Sequence, residues 1–241
     1  MPISVGLPHH VSWRYPHIDV LVQVLPTDWP YTPKHEVNRL PENPSPPLLV
    51  VLSGPSGVGK DAALNEMRKL DRPWHFVVTA TTRSIRPGEV DGVDYIFLDE
   101  PTFLDMKDKN EFVECAQVYG NWYGVPKSQV TTGLDSGKDV ILKIDVQGAA
   151  TVRQMAPNAL FIFMVPGSFE ELRDRLSQRM TESTPQMELR LRTATQELGQ
   201  AELFDRQVVN SEDHLKEAVA DIDATISAEK QRDGRTPILL L

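Results

Sequence analysis

LLVVLSGPSGVGKD, residues 48–61, joins a continuous apolar run to a glycine-rich loop that ends in a lysine. The apolar run reads as a strand buried on both faces, and its last residue opens the loop. Gly54, Gly57 and Gly59 permit backbone angles closed to other residues. Successive N–H groups of Gly54, Pro55, Ser56, Gly57, Val58 and Gly59, the proline excepted, can therefore turn inward on phosphate oxygens. Lys60 supplies a mobile cation for the outer phosphates. The spacing Leu64, Met67, Leu70 predicts a following helix, whose N-terminus carries partial positive charge. One residue departs from the usual pattern of such loops: Asp61 stands where a serine or threonine hydroxyl ordinarily binds magnesium.

Bulk properties narrow the remaining classes. The chain has 241 residues, 40% hydrophobic and 24% charged, which suits a mixed globular domain with a sizeable core. A net charge of −9 gives no electrostatic case for a nucleic-acid or anionic-membrane surface. The single cysteine, Cys115, excludes an intrachain disulfide and fits a reducing cytoplasm. No apolar stretch approaches the roughly 18 residues of a membrane span, and the N-terminus lacks a basic segment followed by an apolar run.

Proline is uneven: ten of the 19 fall in residues 1–47, with four of the six histidines (His9, His10, His17, His35). This stretch reads as an irregular extension, 1–46, with one short strand at Ile18–Leu25. Its histidines lack partners at metal-ligand spacing. From Pro47 onward strands alternate with helices. Strands are expected at 48–53, 75–79, 94–98, 112–118, 139–144, 159–165 and 206–209. Helices are expected at 60–70, 102–108, 126–134, 147–155, 168–180, 185–203 and 212–231. The alternation predicts an α/β domain over 47–230 with a parallel sheet core and helices on both faces, followed by a tail, 231–241.

A second block, TATTRSIRPGEVDGVDY at 79–95, places Arg83 and Arg86 around a Pro-Gly turn beside Glu89 and Tyr95. Two guanidinium forks and a phenol can hold a phosphate; alone, the same block also reads as a solvated charged loop. With the P-loop before it, then E-x-A-x-x-x-G-N-x-Y-G, I-D-x-Q-G, E-L-x-x-R-L-x-x-R at 171–179 and Val209-Asn210, the chain resembles guanylate kinase over about 47–229.

That resemblance implies a P-loop kinase fold with an inserted GMP-binding region near 80–136 and a mobile lid near 178–195. It implies ATP as donor, GMP and dGMP as acceptors, and magnesium as cofactor. Arg83, Arg86, Tyr95 and Tyr123 would hold the acceptor phosphate, with Glu89 beside them. Glu114 and Thr79 would read guanine, since a carboxylate can accept from both N1–H and the 2-amino group. Asp145, at the end of an apolar strand, would lie beside the acceptor or cap a helix. Lys60, Arg179 and Arg190 would meet the transferred group, and Arg175 and Asn210 the donor.

Three positions depart from the family pattern. Asp61 brings a negative charge near the donor phosphates, and two unit charges about 4 Å apart at an effective dielectric of about 20 repel by about 4 kcal/mol. The carboxylate is also a suitable magnesium ligand, and the metal is expected to offset the repulsion. Val125 replaces a hydroxyl residue near the base, and Met180 replaces a glycine in the lid. Two other readings remain at this stage: a non-catalytic guanylate-kinase-like binding module, and a P-loop kinase acting on a phosphorylated sugar.

Overall fold

The computed structural model describes residues 45–118, 120–177 and 184–238. In chain order these residues form β1 (Leu49–Ser53), α1 (Lys60–Met67), β2 (Trp74–Phe76), β3 (Ala80–Thr81), β4 (Ile96–Phe97) and α2 (Glu100–Asp108). Next come β5 (Phe112–Val118), β6 (Asn121–Pro126), α3 (Lys127–Asp135), β7 (Asp139–Lys143), α4 (Val146–Met155) and β8 (Leu160–Pro166). The order ends with α5 (Phe169–Ser177), α6 (Thr184–Leu198), a 3-10 turn at Ala201–Leu203, β9 (Arg206–Asn210) and α7 (Leu215–Gln231).

The first sheet is parallel throughout, in the order β2-β7-β1-β8-β9. β1 lies at its centre and is buried along its whole length. Successive side chains of a strand point to opposite faces, so an unbroken apolar strand needs cover on both. Val50 and Leu52 pack toward Ala63, Leu64 and Met67 of α1 and Val219 and Ile222 of α7. Leu49 and Val51 pack toward Val130 of α3 and Ala149 and Val152 of α4.

The second sheet, β4-β3-β6-β5, is mixed. β5 and β6 pair antiparallel, with Cys115 opposite Gly124 and Ala116 opposite Tyr123. The strand expected at 112–118 is β5 and that expected at 139–144 is β7, one residue shorter, but β3 and β6 lie outside the strands expected from the sequence. Asn121–Pro126 contains a glycine and ends in proline, which lowers its intrinsic strand signal; pairing with β5 supplies what propensity does not. Helix ends also came earlier than expected. α1 stops at Met67, where Lys69 and Leu70 switch to tight turns on Glu66 and Met67. α6 stops at Leu198, ahead of Gly199. The N-terminal extension as far as residue 44, with its expected strand and histidines, lies outside the described residues.

Val125 is fully buried among Val113, Val130 and Ala149. Its side chain joins the core that covers one face of the parallel sheet.

One buried ion pair ties the sheet to the last helix. Asp139 opens β7 and is 1% exposed. It accepts from Leu48 N–H at 2.8 Å and from Lys230 Nζ of α7 at 2.8 Å. Asp139→Ala leaves both donors unsatisfied, at a cost of about 2–3 kcal/mol. Urea unfolding should show a lower midpoint with an unchanged slope.

Candidate active site

Strands β1, β7 and β9 all run toward one edge of the sheet, where the P-loop follows β1, Asp145 follows β7 and Asn210 ends β9. The P-loop leaves β1 and enters α1 through Gly59, whose φ of 101° is closed to most side chains. The Asn210 amide, at the end of β9, donates to Val58 carbonyl at 2.7 Å. Arg175 of α5 donates to the same carbonyl at 3.3 Å and to Asn210 carbonyl at 3.1 Å. Both residues therefore grip the loop backbone from behind. Lys60 donates to Gly54 and Pro55 carbonyls at 2.5 and 3.1 Å. Burial draws its ammonium below the usual lysine value, while Glu197 and Asp61 pull the other way.

Glu197, near the end of α6, was not anticipated. Its carboxylate accepts from Ser56 N–H at 3.3 Å, at the mouth of the loop. Burial raises its pKa, opposed by Lys60. A lone acidic residue on a polar helix carries no signal of such a contact, because it is made across 141 residues of chain. Arg190, on the same helix, is buried. Arg179 lies outside the described residues, as does part of the expected lid.

The arginine-bearing block at 79–95 folds as a turn between β3 and β4. Arg83 makes a two-pronged bond to Glu89, at 2.8 and 3.1 Å, and Glu89 also accepts from Arg86 N–H at 2.8 Å. The carboxylate thus orients both arginine positions. Burial raises the Glu89 pKa, but the bonds from Arg83 and Arg86 outweigh it and hold the group below the usual value. The Arg83 guanidinium lies 5.2 Å from the centre of the Tyr95 ring, and the Tyr95 and Tyr123 rings meet edge-on at 6.1 Å. The pairing of β3 with β6 sets Tyr123 beside Thr81, which brings the two tyrosines together.

Glu114 of β5 is 7% exposed, and burial, reinforced by the charge of Asp145, raises its pKa to about 8. Thr79 is buried close to the start of β3. Asp145 follows β7 and caps α4, accepting from Gly148 N–H at 2.7 Å. The structure therefore realises the capping role. Gly148 is required here by close approach: a Cβ on it would lie 2.8 Å from the Glu114 carboxyl carbon.

Asp61 has a protein partner. Lys143, the last residue of β7, makes an ion pair with it. The same ammonium donates to Tyr95 hydroxyl at 3.1 Å and lies 4.4 Å from the ring centre. Burial would lower the Lys143 pKa; Asp61 and Tyr95 more than reverse this and hold it above the usual lysine value. The expectation from sequence assigns the offset of the Asp61 charge to the metal; the protein also supplies a cation of its own, which that expectation did not foresee. A lone lysine in the apolar run Val140-Ile141-Leu142-Lys143-Ile144 was the available signal.

Among the described residues no group of three or more His, Cys, Asp or Glu side chains is placed to hold a metal ion. That donor set does not make an all-protein cage. It is compatible with magnesium sites in which substrate phosphates and water supply most ligands, and Asp61, in the first turn of α1, is an exposed carboxylate beside the P-loop.

Gly59→Ala tests the grip on the loop. A Cβ there would stand 2.5 Å from the Asn210 amide nitrogen, at a backbone angle that strains any L side chain. The strain is about 1–3 kcal/mol, and Asn210 must leave Val58. Calorimetric titration with ATP should show affinity at least tenfold weaker.

This geometry agrees with what the chain is similar to. The guanylate kinase family model matches residues 47–229. Guanylate kinase 2, chloroplastic/mitochondrial, of Oryza sativa subsp. japonica is 45% identical over 190 residues, spanning 78% of this chain and 67% of that protein. The guanylate kinase of Clostridium tetani is 44% identical over 188 residues, spanning 78% of this chain and 89% of its own. The crystal structure of guanylate kinase from Anaplasma phagocytophilum superposes with a TM-score of 0.66 at 33% identity, covering 78% of this chain and 89% of that one. With the P-loop at the carboxyl edge of the parallel sheet and the arginine turn and buried glutamate carried by the second, mixed sheet, this chain belongs to the guanylate kinase family.

Proposed function

We infer that the chain is a nucleoside monophosphate kinase that transfers the terminal phosphoryl group of ATP to GMP, yielding ADP and GDP. The observation that carries the reading is the placement of Glu114. A buried carboxyl with a pKa of about 8 stands beside Asp145, at the carboxyl end of the strand next to β1 and its P-loop. A guanine edge offers two adjacent donors that such a carboxylate accepts, whereas adenine has no such pair.

In this reading dGMP is an acceptor as well. Arg83, Arg86, Tyr95 and Tyr123 bind the acceptor phosphate, with Glu89 holding Arg83 in place. Glu114 and Thr79 read the base, and Asp145 fixes the start of α4 beneath them. Lys60 and the loop amides bind the donor phosphates, while Arg175 and Asn210 keep the loop in shape. Lys60, Arg179 and Arg190 stabilise charge on the transferred group; positioning and cationic stabilisation are the main demands of this chemistry. The acceptor phosphate oxygen is itself the nucleophile, so no covalent enzyme intermediate forms. Magnesium is part of the proposal: when bound, it neutralises charge on the donor phosphate oxygens, with Asp61 as its protein ligand. Closure of the GMP-binding region and the lid near 178–195 would exclude water.

We place the reaction in the cytoplasm, on the single cysteine, and the catalytic unit at 47–230, without need of the extension. The binding-module and sugar-phosphate readings are not favoured by the family's enzymes or by the presence of Lys60 and Glu114. A coupled assay of ADP release tests the whole. GMP and dGMP should support turnover, AMP, UMP and ribose phosphates should not, and residues 45–241 alone should stay within a few-fold of the full chain. Turnover with ribose phosphates instead of GMP would overturn the reading.

A second test concerns protons. Glu114 is protonated in the free protein below about pH 8, and guanine requires the carboxylate. GMP binding should therefore release close to one proton at pH 7, and affinity should rise nearly tenfold per unit toward pH 8. Glu114→Gln should raise the GMP KM at least tenfold with little change for ATP. It should retain only the pH dependence of the phosphate itself, whose second ionisation lies near about pH 6. Calorimetry in buffers of different ionisation enthalpy reads the proton directly.

A further inference from the structure

We propose that Lys143 is a positioning residue for phosphoryl transfer: it neutralises Asp61 at the mouth of α1 and, through the same ammonium, holds Tyr95 of the acceptor region against the P-loop. The proposal rests on the kinase reading above.

Register explains how the lysine arrives. Parallel pairing sets Leu52, two residues before Gly54, beside Lys143. Lys143 therefore leaves its strand where the P-loop begins. Its side chain is only 13% exposed, whereas that of Asp61 is 66% exposed. An ammonium drawn so far out of water is stable only with partners. It has one on each side: Asp61 in the first turn of α1, and Tyr95, by hydroxyl and by ring face. Tyr95 in turn touches Arg83 and Tyr123. A continuous line of contacts thus runs from the donor loop through Asp61, Lys143 and Tyr95 to the arginine that faces the acceptor phosphate. The cleft beneath it is lined by Asp61, Asn65, Arg68, Thr79, Asp94 and Lys143. An ion pair that served stability alone would need no contact with Tyr95, and an acidic residue in the P-loop would otherwise set its charge against the incoming phosphates.

The variants are Lys143→Met, Lys143→Arg, Asp61→Asn and the double Asp61→Asn/Lys143→Met, compared with the native protein. ADP affinity is measured in EDTA, where no divalent metal contributes, and GMP-dependent turnover with magnesium. Lys143→Met should weaken metal-free ADP binding at least fivefold, because Asp61 is left facing the phosphates, and should lower kcat with GMP at least tenfold. The double variant should regain the ADP affinity, but its kcat should stay at least severalfold below that of Asp61→Asn alone, since Tyr95 still lacks its anchor. Lys143→Arg, which keeps the charge and the donors, should stay within about threefold on both measures. Native ADP affinity and native kcat in Lys143→Met would overturn the proposal. So would a loss that the double variant does not relieve and that arginine does not rescue. The EDTA titration does not depend on the acceptor. If native protein fails to phosphorylate GMP while the ADP measurements behave as described, the kinase reading fails and the Asp61–Lys143 part stands.

Discussion

Everything in the site hangs from the central position of β1. Its neighbours on both sides run parallel to it, so the loops that follow β1, β7 and β9 open at one edge of the sheet. A buried parallel strand needs apolar residues on both faces and a cover of helices on each. The run Leu48–Leu52 meets the first demand, and α1 with α7 and α3 with α4 meet the second. Once β1 is fixed, the P-loop must emerge beside the ends of its neighbours. Asn210, Lys143 and Asp145 are the residues found there, and each acts on the loop or on the acceptor region.

The electrostatics of the edge follow from that crowding. Asp61, Lys143, Asp145 and Glu197 all lie near enough to act on the ionisation of Lys60. Their charges largely compensate: Asp61 faces Lys143, and Glu197 faces Lys60 and Ser56 N–H. Similarly, Glu89 holds Arg83 in the acceptor turn. A site built to receive two polyanions therefore carries carboxylates that steady its cations. The exception is Glu114, whose carboxyl is pushed up both by burial and by the like charge of Asp145.

The second sheet shows where local signals weaken. β5 was legible because Phe112, Val113 and Val118 form a short β-prone run. β6 was not, because Gly124 and Pro126 interrupt the pattern. Its stability comes from pairing with β5 and β3 and from packing on α2, where its own Trp122 stacks on Phe103 with ring centres 5.9 Å apart. Tyr123 reaches the site only because this hairpin forms. The residue type was readable in the sequence, but its approach to Tyr95 depends on a pairing that no local preference encodes.

The sequence by itself determined the P-loop, the arginine turn and the alternation of strands and helices. These features are local: φ above zero needs glycine, a phosphate needs amides and cations close along the chain, and a buried strand needs an unbroken apolar run. Tertiary structure alone decided that Asp61 meets Lys143 across 82 residues, that Glu197 reaches Ser56 across 141, and that Asn210 clamps Val58 across 152. Those partners are set by strand order and register. A parallel sheet fixes which strand ends become neighbours only when it assembles, so a charge in the chain, even one as conspicuous as Lys143 in its apolar run, carries no local trace of the partner it will meet.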